Sequence, residues 1–233
     1  MVNGLIDKTV GKNKFLLISH RYNELEIFHI IILKRKLMFM KQILVLVFVS
    51  LLFYPAVAQQ SPEGLFINSK APDFRAKDQT GMEIHLKDVL KKEKVVLLFY
   101  RGEWSPTCNQ QMKKIEDSLQ LIIGKGATVI AVTPEKPESI TKTIEKTSAT
   151  YSILSDDGLK IMNAYHVAFE VPENTLNQYR NTGIDIEKNN GTNGKYLPVP
   201  AVYIINKEST IIYRFFEPNY KKRPTVQEIL DNL

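Results

Sequence analysis

The sequence predicts an α/β domain of three layers, with helices on both faces of a central mixed sheet. Three observations predict it. Residues 95–100 (VVLLFY) are an unbroken apolar run, the pattern of a strand buried on both faces. Met112, Ile115, Leu119 and Ile122 recur at three- and four-residue steps, which marks one buried face of a helix. Strand and helix patterns then alternate as far as a closing hairpin and a last helix, the order of a layered α/β domain.

Residues 61–70 read as an extended lead-in. Residues 73–77 and 83–86 are predicted strands joined at Thr80-Gly81, a turn pair. The 95–100 strand delivers the chain to a loop at 101–107, and the helix with the Met112 to Ile122 face follows. Gly124 and Gly126 mark its C-terminus. Residues 128–132 are a second buried strand, 137–146 a polar amphipathic helix and 151–154 a short strand. Ser155-Asp156-Asp157-Gly158 can cap a further helix running through Ala164. Residues 171–198 are expected to be irregular and polar, with one helix near 173–180 and a loop at 189–194. Residues 201–206 and 210–216 are strands about a Lys207-Glu208-Ser209 turn, and 226–233 is a closing helix.

The first 58 residues are expected to lie outside this domain. Met40-Lys41 is a basic start, residues 43–53 (ILVLVFVSLLF) are apolar but for Ser50, and Pro55 precedes Ala56-Val57-Ala58, a small-x-small cleavage pattern. That is the order of a secretory signal over residues 38–58. The run is short of the roughly 20 apolar residues that span a bilayer, so a membrane is reached only through the leader, if it is uncleaved. Residues 1–37 are read as a non-native extension, with Met38 or Met40 as the start. Cleavage near Ala58 would release an exported, periplasmic or secreted domain of residues 59–233.

Charge follows the leader. It holds eight of the 31 Lys and Arg and three of the 25 Asp and Glu, which leaves 23 against 22 in residues 59–233. No concentrated basic footprint remains for nucleic acid. No phosphate-loop or dinucleotide fingerprint is present, and His85 and His166 show no paired metal-ligand spacing, so neither metal nor cofactor is expected. The basic triplet Lys221-Lys222-Arg223 reads as a solvated loop, and Glu103 as a solvated loop residue.

Cys108, the sole cysteine, carries the chemistry. One cysteine cannot close an internal disulfide, and in an exported chain it points to intermolecular pairing or a reactive thiol. It follows a buried strand and a loop, at or just inside a helix start. The first amides of a helix lack internal partners and carry partial positive charge, which favours the thiolate, the nucleophilic form. Ser105 stands three residues before it, as a helix cap or as a hydrogen-bond donor to thiolate or peroxide.

Trp104-Ser105-Pro106-Thr107-Cys108 resembles the Trp-Cys-x-x-Cys site of thioredoxin-fold proteins with Ser105 in place of the first cysteine. It also resembles the Thr/Ser-x-x-Cys core of peroxiredoxins. Ala71-Pro72-Asp73-Phe74 is similar to the entry strand of the alkyl hydroperoxide reductase/thiol-specific antioxidant (AhpC/TSA) family, and Leu197-Pro198-Val199-Pro200-Ala201-Val202-Tyr203-Ile204-Ile205-Asn206 to its cis-proline strand. Glu217-Pro218-Asn219-Tyr220 and Arg223-Pro224 match the closing motif of a peroxiredoxin-like subgroup. The resemblance runs from about residue 68 to 233 and implies a thioredoxin-like three-layer sandwich. The chain departs from it twice: Arg101 stands where the family has a proline, and Pro200 where it has its active-site arginine.

The resemblance implies a thiol-dependent peroxidase in which Cys108 attacks hydrogen peroxide or an organic hydroperoxide. The reductant would be an external thiol, a thioredoxin-like protein or a small thiol, and a homodimer is allowed. Cys108, Ser105 and Arg101 are the expected catalytic residues, with Arg101 supplying the positive charge from the loop. Trp104, Pro106, Thr107, Val199 and Pro200 are the expected pocket, with a cis Val199–Pro200 bond presenting backbone beside Cys108. Two other functions stay open on the sequence: a thiol oxidoreductase or mixed-disulfide carrier, and a non-catalytic redox-sensing or binding module.

Overall fold

The computed structural model describes residues 30–46 and 61–233. Residues 30–46 form a helix, α1, with every side chain exposed. No helix among the described residues is long and apolar enough to cross a membrane. The expected cleavage site at Ala56-Val57-Ala58 lies outside the described residues.

Residues 61–233 fold around one sheet. β3 (Lys94–Phe99), β4 (Ala127–Thr133), β5 (Ser152–Ser155), β8 (Ala201–Ile205) and β9 (Ile211–Phe216) lie in the order β5-β4-β3-β8-β9. β3 pairs with β4 and β4 with β5 in parallel, whereas β8 pairs with both β3 and β9 antiparallel. Parallel neighbours need long crossovers. Here they are α3 (Pro106–Asp117) with α4 (Leu119–Gly124), then α5 (Pro137–Thr147).

The continuous apolar run of β3 is explained by its two covered faces. Val95, Leu97 and Phe99 join one core with Leu86, Leu90, Tyr165 and Tyr203. Val96, Leu98 and Tyr100 join the other with Cys108, Met112, Ile115 and Ile140. α2 (Leu86–Leu90) and α6 (Lys160–Ala164) serve the first face, α3 and α5 the second. Burying Met112 and Ile115, both essentially unexposed, stabilises the α3 contact by about 1.5–3 kcal/mol each.

Two smaller ribbons flank the sheet. β1 (Arg75–Lys77) pairs with β2 (Glu83–His85), and β6 (Ala168–Glu170) with β7 (Tyr196–Pro198). Asp78 holds the first turn by accepting from Thr80 N at 2.9 Å and Met82 N at 3.1 Å.

Three expectations are corrected. The helix drawn through Met112 and Ile122 is two helices, because Ser118 (φ −112, ψ 8) leaves helical geometry while the apolar step continues past it. The 171–198 stretch is more ordered than expected: β7, α7 (Glu173–Asn181) and α8 (Ile186–Asn190) build a satellite core from Val171, Leu176, Ile186 and Leu197. α2 follows β2 directly, where no helix was expected. α9 (Val226–Asp231) closes the chain behind a Thr225/Glu228 capping box.

Candidate active site

β3 carries the chain into the buried loop Tyr100-Arg101-Gly102-Glu103, and α3 starts immediately after it. Ser105 is the N-cap, with extended backbone, and its hydroxyl accepts from the Cys108 N–H at 3.4 Å. Pro106 opens the helix, where its missing N–H costs nothing. Cys108 is therefore the third helical residue, in the first turn, whose amides have no carbonyl partner within the helix, and its side chain is fully buried.

The cation at the thiol is Arg223. Its Nη2 donates to Cys108 Sγ at 3.2 Å, and its Nη1 donates to the carbonyls of Tyr220 at 2.6 Å and Lys222 at 2.7 Å. The two carbonyls fix the guanidinium so that its other nitrogen faces sulfur, a use of the rigid fork that lysine cannot copy. The triplet expected to be a solvated loop thus sends its last residue inward. A run of three charges carries no signal of which one turns in.

Arg101 is buried as well, at 4% exposure, but among the described residues no hydrogen bond joins it to the thiol. Its guanidinium lies 4.7 Å from the centroid of Tyr220, 5.1 Å from Trp104 and 5.7 Å from Tyr179, and Nη2 donates to the Tyr179 hydroxyl at 2.8 Å. Arg101 thus lies among aromatic rings where a thiol contact was expected. It seats the ring of Tyr220, the residue whose carbonyl orients Arg223. Tyr179 comes from α7, so the 171–198 segment packs onto the catalytic loop through Arg101 and Trp104.

Glu103 is buried instead of solvated. Its carboxylate pairs with Lys146 of α5, and its carbonyl accepts from Asn109 Nδ2 at 2.7 Å. Its N–H donates to Glu135 Oε2 at 2.9 Å. Glu135, absent from the sequence expectations, is fully buried, and burial pushes its carboxyl up to about 8 against the pull of that N–H. Gly102 has φ +152, and a Cβ there would stand 2.5 Å from both Glu135 Oε1 and Trp104 Nε1. The close approach of loop and Glu135 requires glycine. Burial, then the nearby Glu135, pushes the Tyr100 hydroxyl far above its ordinary range, so it stays a neutral donor to Thr143 Oγ1 at 3.4 Å.

Val199 and Pro200 are buried next to β8. The register pairs Phe99 with Ala201, so Pro200 lies one step beyond, level with Tyr100. The Val199–Pro200 bond is trans, as are all peptide bonds among the described residues, which corrects the cis expectation. Trans is the lower state even before proline, and Val199 is tied as extended chain by its N–H to Val167 O at 2.8 Å. Thr107, beside Cys108, lines a cleft of about 360 Å³ with Gln111 and Arg223, while Pro106 is exposed. A larger groove of about 1040 Å³, between Asp78, Lys136 and Lys160, includes neither Cys108 nor Arg223. The smaller cleft is lined by Arg223 and by Thr107, the neighbour of Cys108, but not by Cys108 itself, whose side chain is fully buried.

A sulfur in the first turn of a helix, with a fixed guanidinium 3.2 Å away, is an arrangement suited to nucleophilic thiol chemistry. Comparison with known proteins agrees. The AhpC/TSA family model matches residues 67–214. A putative peroxiredoxin, bcp, of Helicobacter pylori is 30% identical over 171 residues, covering 73% of this chain and 99% of that protein. Peroxiredoxin Bcp of Escherichia coli is 27% identical over 97 residues, 42% of this chain and 62% of that one. Among solved structures, peroxidoxin BcpB from Mycobacterium tuberculosis superposes with a TM-score of 0.55 at 18% identity, over 71% of this chain and 94% of that one. A yeast mitochondrial 1-Cys peroxiredoxin superposes with a TM-score of 0.54 at 19% identity, over 71% and 73%. At those identities the superpositions speak for the thioredoxin-like fold, while the family model and the bacterial relative speak for descent: this chain belongs to the AhpC/TSA family of peroxiredoxin-like proteins.

Proposed function

We propose that this protein is a thiol-dependent peroxidase with one peroxidatic cysteine, Cys108. The observation that carries the reading is the Arg223 Nη2 contact with Sγ at 3.2 Å, made to a sulfur on the first turn of α3. The thiolate attacks the terminal oxygen of a peroxide, an S–O bond forms, the O–O bond breaks, and the other oxygen leaves as water or an alcohol after taking a proton. Arg223 offsets the negative charge on sulfur before attack and remains beside the oxygen that receives it. The sulfenic acid condenses with an external thiol, releasing water and leaving a mixed disulfide. A second thiol returns Cys108 to its reduced form and departs as disulfide. With a single cysteine in the chain, both electrons come from outside, from a thioredoxin-like protein or a small thiol.

The test is the rate of sulfenic acid formation at Cys108 with hydrogen peroxide, trapped with dimedone and read by mass spectrometry across pH. Oxidation far faster than that of free cysteine is expected. A rate equal to free cysteine overturns the reading and favours disulfide exchange or a binding role.

Export and assembly belong to the same proposal. The basic start, apolar run and small-x-small pattern of residues 38–58 support a secretory leader. The N-terminus of the native protein is expected at Gln59, and a terminus at Met1, Met38 or Met40 overturns this. β9 is one of the two edge strands of the sheet, and beyond Ile211, where residues 68–70 pair with it, its edge is a template for a second copy. Sedimentation is expected to give a dimer, and a monomer at micromolar concentration removes that part.

A further inference from the structure

One peptide unit in the loop before α3 is held at both ends. The Gly102–Glu103 peptide donates its N–H to Glu135 Oε2 at 2.9 Å, and its carbonyl accepts from the Ser105 N–H at 3.1 Å. A peptide unit is planar, so fixing one end aims the other. Ser105 is the N-cap whose hydroxyl receives the Cys108 N–H. A chain of hydrogen bonds therefore runs from the Glu135 carboxyl to the cap of the helix that bears the sulfur.

Glu135 is anchored from outside the loop. Its carbonyl accepts from Ser155 Oγ at 2.7 Å, Pro134 O accepts from Asn193 Nδ2 at 2.7 Å, and the Lys136 N–H donates to Asn189 O at 3.0 Å. The segment after β4 thus dictates where the carboxyl sits, and the loop conforms to it. Glu135 Oε1 and Trp104 Nε1 have no protein partner, although both would stand 2.5 Å from a Cβ on Gly102. Buried polar atoms ordinarily have partners.

We propose that Glu135 is a positioning residue for Cys108: it holds the 102–103 peptide and through it the cap of α3, with Trp104 Nε1 as a second donor within call of its Oε1. The effect on rate rests on the peroxidase reading, whereas the hold on the loop does not. Burial keeps this carboxyl protonated up to about 8. In that form Oε2 takes the Glu103 N–H and Oε1 carries the proton. Loss of the proton turns Oε1 into a charged acceptor beside an indole N–H that has no other partner, so the loop re-seats on Trp104. The titratable groups that act on Glu135 are Glu103 in the loop, Tyr100 just after β3, and Lys142 and Lys146 on α5.

Oxidation of Cys108 by hydrogen peroxide is expected to slow about tenfold in Glu135→Leu, which leaves the Glu103 N–H without an acceptor. Glu135→Gln keeps an acceptor and is expected to recover most of that loss. The parent rate divided by the Glu135→Gln rate, in which the thiol's own titration cancels, is expected to fall as pH passes 8. A folded Glu135→Leu variant at the parent rate, or a ratio independent of pH, overturns the proposal. Trp104 is the sole tryptophan, so its fluorescence reads the loop without turnover. In a Cys108→Ser background its emission is expected to change with a midpoint near pH 8, and Glu135→Gln to abolish the change. An emission curve that Glu135→Gln leaves intact overturns the proposal even where Glu135→Leu fails to fold. If Cys108 reacts no faster than free cysteine while Trp104 titrates through Glu135, the peroxidase reading fails and the hold on the loop stands. Fast oxidation with a Trp104 signal blind to Glu135→Gln leaves the reverse.

Discussion

Replacing Arg223 with Met removes the guanidinium while keeping much of the apolar stem, and it isolates what the cation does for Cys108. Arg223 gives sulfur one hydrogen bond, at 3.2 Å, from a group held by two backbone carbonyls. A hydrogen bond involving a charged group contributes about 1.5–3 kcal/mol, and each 1.4 kcal/mol is about tenfold in rate. Oxidation of Cys108 at neutral pH is therefore expected to slow by roughly ten- to a hundredfold. Quenched-flow trapping with dimedone under excess peroxide measures this directly, with circular dichroism and thermal melting to establish that the fold persists. Arg223→Lys is expected to fall between the two, because one ammonium cannot serve Tyr220 O, Lys222 O and Sγ at once. A folded Arg223→Met variant within twofold of the parent rate would refute the role of this contact, and with it the observation on which the proposed function rests.

Glu135 makes stability depend on pH. Its folded value of about 8 lies above the ordinary 4.5, so the native state keeps a proton that the unfolded chain releases, and stability falls as pH rises from about 4.5 to 8. Urea midpoints across that range are expected to show a flatter slope in Glu135→Gln, and equal slopes count against the assignment. Gly102→Ala would place a Cβ 2.5 Å from Glu135 Oε1 and Trp104 Nε1. It is expected to cost about 1–3 kcal/mol and to slow Cys108 oxidation, so a loss within denaturation error would show that the loop yields freely. His85 accepts or donates to Asp73 at 2.8 Å and Asp88 at 2.7 Å, and these hydrogen bonds, Asp73 first, raise its proton affinity. That contribution is complete below the imidazole's ordinary 6.5 and is lost as pH rises through the raised folded value. His85→Gln should remove this component of the pH slope in the same urea series, and an unchanged slope above pH 6.5 would count against it.

The fold was legible where local pattern and burial coincide. The run 95–100 reads as a strand covered on both faces because β3 is one, and Ser105-Pro106 reads as a helix start because capping is decided within a few residues. The reactive sulfur follows from those two features. What the pattern could not show is contact at long separation. Arg223 meets Cys108 across 115 positions, and Glu103 is drawn inward by Lys146 across 43. Neither contact leaves a periodic trace. Arg101 was picked out for the right loop and the wrong partner: its charge is near the site, but its aromatic neighbours come from α7 and from Tyr220. Short elements such as α2 and α8, five residues each, carry too few turns for an apolar period to emerge.

The separation of Cys108 from Arg223 also bears on the order of folding. β3, the loop and α3 are contiguous and can form early, whereas Arg223 arrives only after β8 and β9 have joined the sheet through pairings of long sequence separation, which are intrinsically slow. Until then the sulfur has the helix amides alone. The guanidinium's contribution to reactivity is thereby a late product of folding, added only when the segment after β9 closes against α3.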